Sequence, residues 1–201
     1  MPITIRKLTP DLAEAYVAYF DNTPHDVNID DHKCYCVTWR SDDSYSGRDG
    51  DHWFPSWEER RERALGYVKS GSLQGYLAFQ EDKIVGWCNA NANCGGCLNY
   101  LRSFWRIDET REDIKVKSVF CFMIAPEMQR KGIATQLLQR VCEDAKSEGF
   151  DFVEAYIDTN AKRIFDTSYE FMGNLHLYEK CGFKQHSNND GRIVMRSALK
   201  K

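Results

Sequence analysis

The segment from Val116 to Ile124 constrains the fold of this chain more than any other part of the sequence. It is an almost continuous β-rich apolar run, and such a run is typical of a strand buried on both faces. Pro126 ends the run. Apolar residues then recur at helical spacing to about Ser147, and Gly149 suits the position just after a helix. A buried strand followed by an amphipathic helix predicts an α/β fold.

Further elements extend this pattern in both directions along the chain. Short alternating or apolar runs predict strands at 3–8, 75–80, 83–89, 150–157, 183–186 and 192–196. Capping signals and periodicity predict helices at 9–20, 57–69, 130–147 and 169–181. Residues 21–55 and 91–114 show no sustained period and read as irregular connections. The resulting order, β-α-α-β-β-β-α-β-α-β-β, predicts one mixed central sheet flanked by helices.

Length and composition narrow the class of protein. The 201 residues contain no repeat and no linker, so we expect a single domain over 1–201. No apolar run reaches the roughly 20 residues of a membrane helix, and the first residues lack the apolar region of a secretory signal. We therefore expect a cytoplasmic protein without a membrane partner. The net charge of −3 also disfavours a nucleic-acid partner, because such binders are usually strongly basic.

The small net charge conceals an asymmetry between the two parts of the chain. Residues 115–201 carry 14 basic and 11 acidic side chains, whereas residues 1–114 carry 13 basic and 19 acidic ones. The acidic excess is densest in 21–51, which contains eight aspartates. Such a segment attracts cations, although a solvated hydrophilic loop would have the same composition.

Eight cysteines raise the question of a metal or redox site. Cys88, Cys121 and Cys142 lie in apolar patterns typical of buried thiols. The other close pairs are Cys34/Cys36 and Cys94/Cys97, and only the second has the C-x2-C spacing that is usual on both sides of a four-thiolate zinc site. We expect no metal and reduced bystander thiols, with a zinc site or a redox pair as alternatives.

The connection between the buried strand and the next helix carries the clearest chemical signal. Met128-Gln129-Arg130-Lys131-Gly132-Ile133-Ala134 places glycine at the helix start, beside two cations. The first amides of a helix have no intrahelical acceptor and lie at the positive end of its dipole, an arrangement that binds phosphate. An ordinary turn with solvated basic residues is the alternative. The glycine spacing differs from the dinucleotide and Walker motifs.

Two motifs in this part of the chain resemble those of the GNAT superfamily of N-acetyltransferases. Residues 129–134, QRKGIA, match the family pattern Q/R-x-x-G-x-G/A. Residues 177–183, LYEKCGF, look like the family signature L-Y-x-K-x-G-F. The two motifs occur in the family's order and span about 115–186, whereas the N-terminal half agrees only in element order. The resemblance implies the acyl-CoA N-acyltransferase fold, of the mixed α/β (α+β) class.

The resemblance further implies a site for acetyl-CoA, the co-substrate, mainly within residues 115–201. Backbone amides at the helix start would hold the pyrophosphate, and the end of the preceding strand would pair with pantetheine and polarise the thioester carbonyl. The pyrophosphate positions are Gln129, Arg130, Lys131, Gly132, Ile133, Ala134 and Thr135. The pantetheine positions are Phe122, Met123 and Ile124.

Tyr178 has the catalytic role that the resemblance implies. It would protonate the departing CoA thiolate, because a phenol of pKa about 10 can hydrogen-bond to, and then protonate, a thiolate whose acid has a pKa of about 8.5. A core tyrosine with a satisfied hydroxyl is the alternative. The chain departs from the N-x-x-A-x-x-x-Y pattern that often precedes this tyrosine. Either Asn174, inside that stretch, or Asn160, four residues after Tyr156, is therefore a candidate for the asparagine that contacts CoA.

Residues 1–114 would then form mainly the acceptor side of the domain. We predict that 21–57 forms a wall of the acceptor pocket, in which carboxylates pair with a polycationic amine and indoles stack on cations or flat rings. A core position is the alternative for at least one of the tryptophans, which include Trp57. The candidate substrate-binding residues are Asp30, Asp31, Trp39, Asp42, Asp43 and Trp53.

Transfer to an amine also requires a proton acceptor. An alkyl amine with a pKa of about 10 is mostly protonated at neutral pH, so a base or a water chain must remove a proton. The buried run Val116–Ile124 contains no glutamate. The candidate bases are aspartates of 21–52, His25, His32, His52 and Glu81, with a water relay as a further option.

The sequence thus leads to an acyltransferase hypothesis: acetyl-CoA donates its acetyl group directly to a primary amine of a small cationic acceptor. A protein or peptide N-acetyltransferase is one alternative, and a non-catalytic acyl-CoA-binding sensor is another. The acceptor and the oligomeric state stay open, with a homodimer as one option.

Overall fold

The computed structural model describes residues 2–23, 33–37, 56–92, 113–159 and 171–199. Its strands are β1 Ile3–Lys7, β2 Gly75–Gln80, β3 Lys83–Asn91, β4 Val116–Ile124, β5 Phe152–Asp158, β6 Lys184–Asn189 and β7 Arg192–Ala198. Its α-helices are α1 Ala13–Asn22, α2 Trp57–Lys69, α3 Ile133–Ser147 and α4 Leu175–Lys180, with short 3-10 turns at Pro10–Leu12 and Pro126–Met128. This order of elements confirms the one predicted from the sequence.

The seven strands form one mixed sheet in the order β1-β2-β3-β4-β5-β7-β6. All neighbouring strands are antiparallel except β4 and β5, which are parallel. Parallel neighbours need a crossover connection, and α3 provides it. The long apolar run of β4 is buried along almost its whole length, as expected for a central strand.

Strands β4 and β5 pair over only four positions. Their register runs from Val116 opposite Phe152 to Val119 opposite Ala155. Beyond these positions β4 continues beside β3, and β5 continues beside β7. A register shift against β3 skips Phe120, so that Ala90 pairs with Val119 and Asn89 pairs with Cys121. Such an irregularity bends a strand, and β4 and β5 separate at this point.

Two hydrophobic clusters cover the two faces of the sheet. On one face, α3 contributes Leu137, Leu138 and Val141, and α4 contributes Tyr178. On the other face, α1 contributes aromatic residues such as Tyr16 and Phe20 to a second cluster, which also contains residues of α2. The place where β4 and β5 separate therefore has α3 and α4 on one face of the sheet and α1 and α2 on the other.

Several elements have ends that differ from those predicted. Helix α3 begins at Ile133 rather than at residue 130, because Arg130 and Gly132 have φ angles of +57° and +77°. Helix α4 begins at Leu175 rather than at residue 169, because Gly173 has a φ of +78° and Asn174 is extended. The last hairpin turns at Asp190 and Gly191, whose positive φ values suit a two-residue turn, so its strands are longer than predicted.

None of the helices in the described ranges is long and apolar enough to cross a membrane.

We predict opposite effects on stability for two glycine substitutions. In Gly75→Ala, the new Cβ would lie 2.2 Å from the Trp87 ring and 2.3 Å from the backbone oxygen of Cys88, so the free energy of unfolding should fall by about 1–3 kcal/mol. In Gly66→Ala, within α2, the new Cβ meets nothing within 4 Å, and the free energy should rise by up to about 1 kcal/mol. Urea denaturation measures both changes. A Gly75→Ala variant as stable as the wild type would contradict the packing of Trp87 against β2.

Candidate functional site

The start of α3 is an open and uncapped helix end. Gly132 is its N-cap, with a φ of +77° and without a side chain to accept from the first amides. A Cβ added at Gly132 would find no atom within 4 Å, so the space above the helix end is open. Arg130 and Lys131 are exposed beside it. The first amides, together with the helix dipole and two cations, make this end suitable for an anion.

The end of β4 directs backbone groups away from β3. The Ala125 N–H donates to the Val85 carbonyl of β3 at 3.0 Å. The Ala125 N–H thus points toward β3. Because the backbone groups of successive residues alternate between the two sides of a strand, those of Ile124 and Phe122 point away from β3, toward the side where β5 has separated. The Gln129 Nε2 donates to the Ile124 carbonyl at 3.4 Å, which links the strand end to the loop before α3. The Met123 carbonyl instead accepts from the Tyr19 hydroxyl at 2.9 Å.

Tyr178 lies in α4, fully buried against the end of β4. Its ring centroid is 6.4 Å from that of Phe122 and 5.3 Å from that of Phe183. Its hydroxyl donates to the Met172 carbonyl at 2.6 Å, and a Cβ added at Gly173 would lie 3.0 Å from the ring. Burial raises the pKa of the Tyr178 hydroxyl well above its usual range, so the group stays protonated. The structure therefore brings Tyr178 and Phe122 together, as the sequence-based assignment of roles requires.

Asn174 has a structural role in this neighbourhood. It is the N-cap of α4, and its Oδ1 accepts from the Leu177 N–H at 3.0 Å. This oxygen is therefore already engaged within the chain. Asn160 lies outside the described residues, so the contact of either asparagine with CoA stays a prediction.

Most of the predicted acceptor residues lie outside the described residues. These are Asp30, Asp31, Trp39, Asp42, Asp43 and Trp53, and the candidate bases His25, His32 and His52. Trp57 is half-buried at the start of α2, and Lys33 Nζ lies 5.3 Å from the centroid of its ring. Glu81 is exposed at the turn between β2 and β3. Ala90 of β3 pairs with Val119, where β4 and β5 separate. Lys83, next to the turn, is seven residues from Ala90 along β3, so the turn lies about 23 Å from the separation.

The first cysteine pair is packed into the protein. Cys36 is buried, and its N–H donates to the Cys34 Sγ at 3.4 Å. Burial raises the pKa of the Cys36 thiol, which disfavours the thiolate that metal binding requires. Cys94 and Cys97 lie outside the described residues. Within the described ranges, no group of three His, Cys, Asp or Glu side chains is placed to hold a metal ion.

The sequence reasoning missed a buried polar network beside the separation of the strands. The Glu154 carboxylate accepts from the Tyr156 hydroxyl at 2.7 Å and from the Arg196 Nε at 2.6 Å. The Ser118 Oγ lies 2.9 Å from the Tyr156 hydroxyl oxygen. Val153 and Ala155 face α3, so Glu154 and Tyr156 lie on the opposite face of the sheet. A glutamate flanked by apolar residues within the strand FVEAYID was the available sequence signal.

One protein family matches most of the chain. A family model described as the acetyltransferase (GNAT) family matches residues 9–183. No curated protein sequence matches the chain significantly.

Several solved structures share the fold. An acetyltransferase of the GNAT family from Streptococcus pneumoniae is 18% identical, with a TM-score of 0.54 and coverage of 99% of this chain and 100% of that one. The PaiA N-acetyltransferase from Thermoplasma acidophilum, solved in complex with coenzyme A, is 16% identical, with a TM-score of 0.53 and coverage of 98% and 99%. The ribosomal-protein-S18-alanine N-acetyltransferase from Escherichia coli is 16% identical, with a TM-score of 0.51 and coverage of 100% and 96%.

The capping role of Asn174 leads to a stability prediction. Asn174→Ala should lower the free energy of unfolding by about 1 kcal/mol, because it removes the acceptor of the Leu177 N–H. Asn174→Ser retains a capping oxygen and should change it by only a few tenths of a kcal/mol. Urea denaturation separates the two variants, and equal stabilities would contradict the cap. Unchanged affinity of both variants for CoA would leave Asn160 as the remaining candidate.

Proposed function

Because the chain belongs to the GNAT acetyltransferase family, we propose that it moves the acetyl group of acetyl-CoA directly to the primary amine of a small cationic acceptor in the cytoplasm. One observation carries this proposal: Tyr178 packs near Phe122 of β4 beyond the last residues that β4 pairs with β5, and the loop that leads to the open start of α3 bonds to the end of β4. Bound acetyl-CoA supplies an acetyl group activated as a thioester.

The start of α3 would hold the pyrophosphate. The amides of Ile133, Ala134 and Thr135 are at the uncapped helix end, and no atom lies within 4 Å of where a Cβ at Gly132 would be, so the space beside that end is open. A side chain at Gly132 would project into the space that a phosphate needs. Arg130 and Lys131, both exposed, would add charge. The Gln129 N–H donates to the Pro126 carbonyl at 3.3 Å and would have to exchange that bond to reach a phosphate.

The end of β4 would hold the pantetheine arm. The backbone groups of Phe122 and Ile124 that point toward the separated β5 can pair with the amides of the arm, as a neighbouring strand would. In this region an amide donor can polarise the thioester carbonyl and stabilise the oxyanion formed in the attack. Met123 would line the arm without binding it through its carbonyl, because that oxygen already accepts from the Tyr19 hydroxyl.

Tyr178 would act on the leaving group. Its raised pKa keeps the hydroxyl protonated, and burial beside it would also raise the pKa of a departing thiol. Proton transfer from the hydroxyl to the thiolate becomes easier the more burial raises the pKa of that thiol. To reach the sulfur, the hydroxyl must exchange its hydrogen bond to the Met172 carbonyl for one to the thiolate.

The charge distribution of the chain supports a cationic acceptor. The acidic excess of residues 1–114 includes Asp30, Asp31, Asp42 and Asp43, which could pair with several ammonium groups. Trp39 and Trp53 would stack on the cations or on flat rings of the same acceptor. The mild basic excess of residues 115–201 suits an anionic nucleotide.

A screen of acceptors tests the proposal. We expect incubation with acetyl-CoA to add one acetyl group to spermidine or kanamycin, as a mass gain matched by release of the CoA thiol. The same screen includes a peptide with a free amino terminus and a peptide whose only amine is a lysine side chain. Acetylation of the peptides alone would identify a protein or peptide N-acetyltransferase. Binding of acetyl-CoA without transfer to any of these amines would identify a sensor.

We predict that Tyr178→Phe lowers kcat by about 10²-fold or more, because it removes a general acid, while the affinity for CoA is unchanged. Since burial raises the pKa of Tyr178, this loss should be constant from about pH 7 to about pH 9. Tyr16→Phe is a matched control, because Tyr16 is also fully buried and its hydroxyl donates to a backbone carbonyl, that of Tyr35, at 2.8 Å. Full activity of Tyr178→Phe would refute the assignment.

A further inference from the structure

A polar line crosses the buried sheet on the face opposite α3. The strand registers place Asn91 of β3, Ser118 of β4, Glu154 of β5 and Arg196 of β7 side by side. Asn91 and Ser118 are 1% exposed, and Glu154 is fully buried. Burying such groups costs stability unless they are hydrogen-bonded or paired. Ser118 and Glu154 are hydrogen-bonded and Glu154 is paired with Arg196, but such a buried ion pair is weak evidence for a stabilising role.

Asn89 adds an unmatched amide beside this line. It is fully buried, two residues from Asn91 on the same face of β3, and it pairs in register with Cys121 of β4. In the part of the chain that the structure describes, neither its Oδ1 nor its Nδ2 has a hydrogen-bond partner. An orphaned buried amide offers one acceptor and two donors. A polar ligand on this face of the sheet could satisfy it.

The hydroxyl pair Ser118–Tyr156 lies where the strands separate. Val119 and Ala155 are the last paired residues of β4 and β5. Ser118 directly precedes Val119, and Tyr156 directly follows Ala155. Their side chains meet at 2.9 Å on the face opposite α3, whereas Tyr178 approaches the same region from the face of α3 and α4. A thioester held between the strands would therefore have hydroxyl groups on both sides.

The hydrogen bonds of the network have a defined direction. The Tyr156 hydroxyl has one proton and donates it to Glu154 Oε1 at 2.7 Å. Ser118 must therefore be the donor in its bond to Tyr156, which leaves the lone pairs of Ser118 Oγ available to accept from a ligand. Ser118 thus donates to Tyr156, and Tyr156 donates to Glu154. Arg196 fixes the far end, since its Nε lies 2.6 Å from Glu154 Oε2 and its guanidinium lies 5.0 Å from the Phe152 ring centroid.

We propose that Ser118, Tyr156 and Glu154 form a relay that removes the proton from the acceptor amine as it attacks the thioester; this inference rests on the proposed function. The amine nitrogen forms a bond to the carbonyl carbon, and its proton passes to Ser118 Oγ. The Ser118 proton passes to the Tyr156 oxygen, and the Tyr156 proton passes to Glu154 Oε1. The carbon–sulfur bond breaks with its electron pair on sulfur, which takes a proton from Tyr178. Proton exchange with solvent then deprotonates Glu154 and reprotonates Tyr178.

The three residues of the relay have different roles. Ser118 touches the attacking nitrogen and is the catalytic residue of the three. Tyr156 and Glu154 act through it, and Tyr156 is held in place by stacking on Phe120, with ring centroids 5.7 Å apart and an interplanar angle of 16°. Arg196 forms an ion pair with Glu154 and so positions its carboxylate.

The test uses the full chain, acetyl-CoA and whichever amine of the screen gives the highest rate. Ser118→Ala and Tyr156→Phe should each lower kcat about 10²-fold without changing the affinity for CoA. The residual kcat should increase with pH, because solvent hydroxide then takes over the removal of the proton. Both variants keep the Glu154–Arg196 ion pair, so they avoid the unpaired buried charge that Glu154→Gln would create.

Tyr76→Phe is the matched control for the relay. Tyr76 is also a buried strand tyrosine whose hydroxyl donates to a carboxylate, Asp144 Oδ2 at 3.1 Å, and Arg140 pairs with that carboxylate. It packs in the cluster on the α3 face, so its kcat and pH profile should match the wild type. Wild-type kcat and pH dependence in Ser118→Ala and Tyr156→Phe would overturn the relay while leaving the proposed function intact. A wild-type protein that binds acetyl-CoA but acetylates no amine would overturn both.

Discussion

The pairing of β4 with β5 stops after four residues, and the rest of the structure is organised around that break. Backbone amides and carbonyls inside a sheet need partners, yet Phe122 and Ile124 direct theirs toward a strand that has turned away to pair with β7. A register shift against β3 lies at Phe120, directly after Val119, the last residue of β4 that pairs with β5. A sheet interrupted at its centre can accept an extended ligand in place of a strand, and the open start of α3 lies at the end of the same opening.

The two faces of the sheet contribute different chemistry to this opening. On the face of α3 and α4, Tyr178 is enclosed by apolar residues, and burial raises its pKa. On the opposite face, Ser118, Tyr156 and Glu154 form a connected polar network. Acyl transfer needs a proton removed on the side of the nucleophile and a proton supplied on the side of the leaving group. A sheet that opens at its centre can meet both requirements without placing the two groups in contact.

Local patterns predicted most of the fold, and context corrected it at the ends of elements. The periodicity around β4 and α3 was strong enough to predict both, but the left-handed conformations of Arg130 and Gly132 delay the start of the helix. The predicted helix at 169–181 is cut to six residues for the same kind of reason, since Gly173 is left-handed and Asn174 caps the shortened helix. Single backbone conformations of this sort depend on neighbouring packing, as the close approach of Gly173 to Tyr178 illustrates.

The sequence by itself determined the parts of the candidate site that lie in contiguous residues. The loop of Gln129 to Gly132 and the segment around Tyr178 each carry their signal within a few positions, because a helix end and its neighbours are local structures. Only the tertiary structure decided that Glu154 meets Tyr156, Ser118 and Arg196, since three strands far apart in sequence supply these side chains. Their alignment follows from register, and register is set by how the whole sheet packs against its helices.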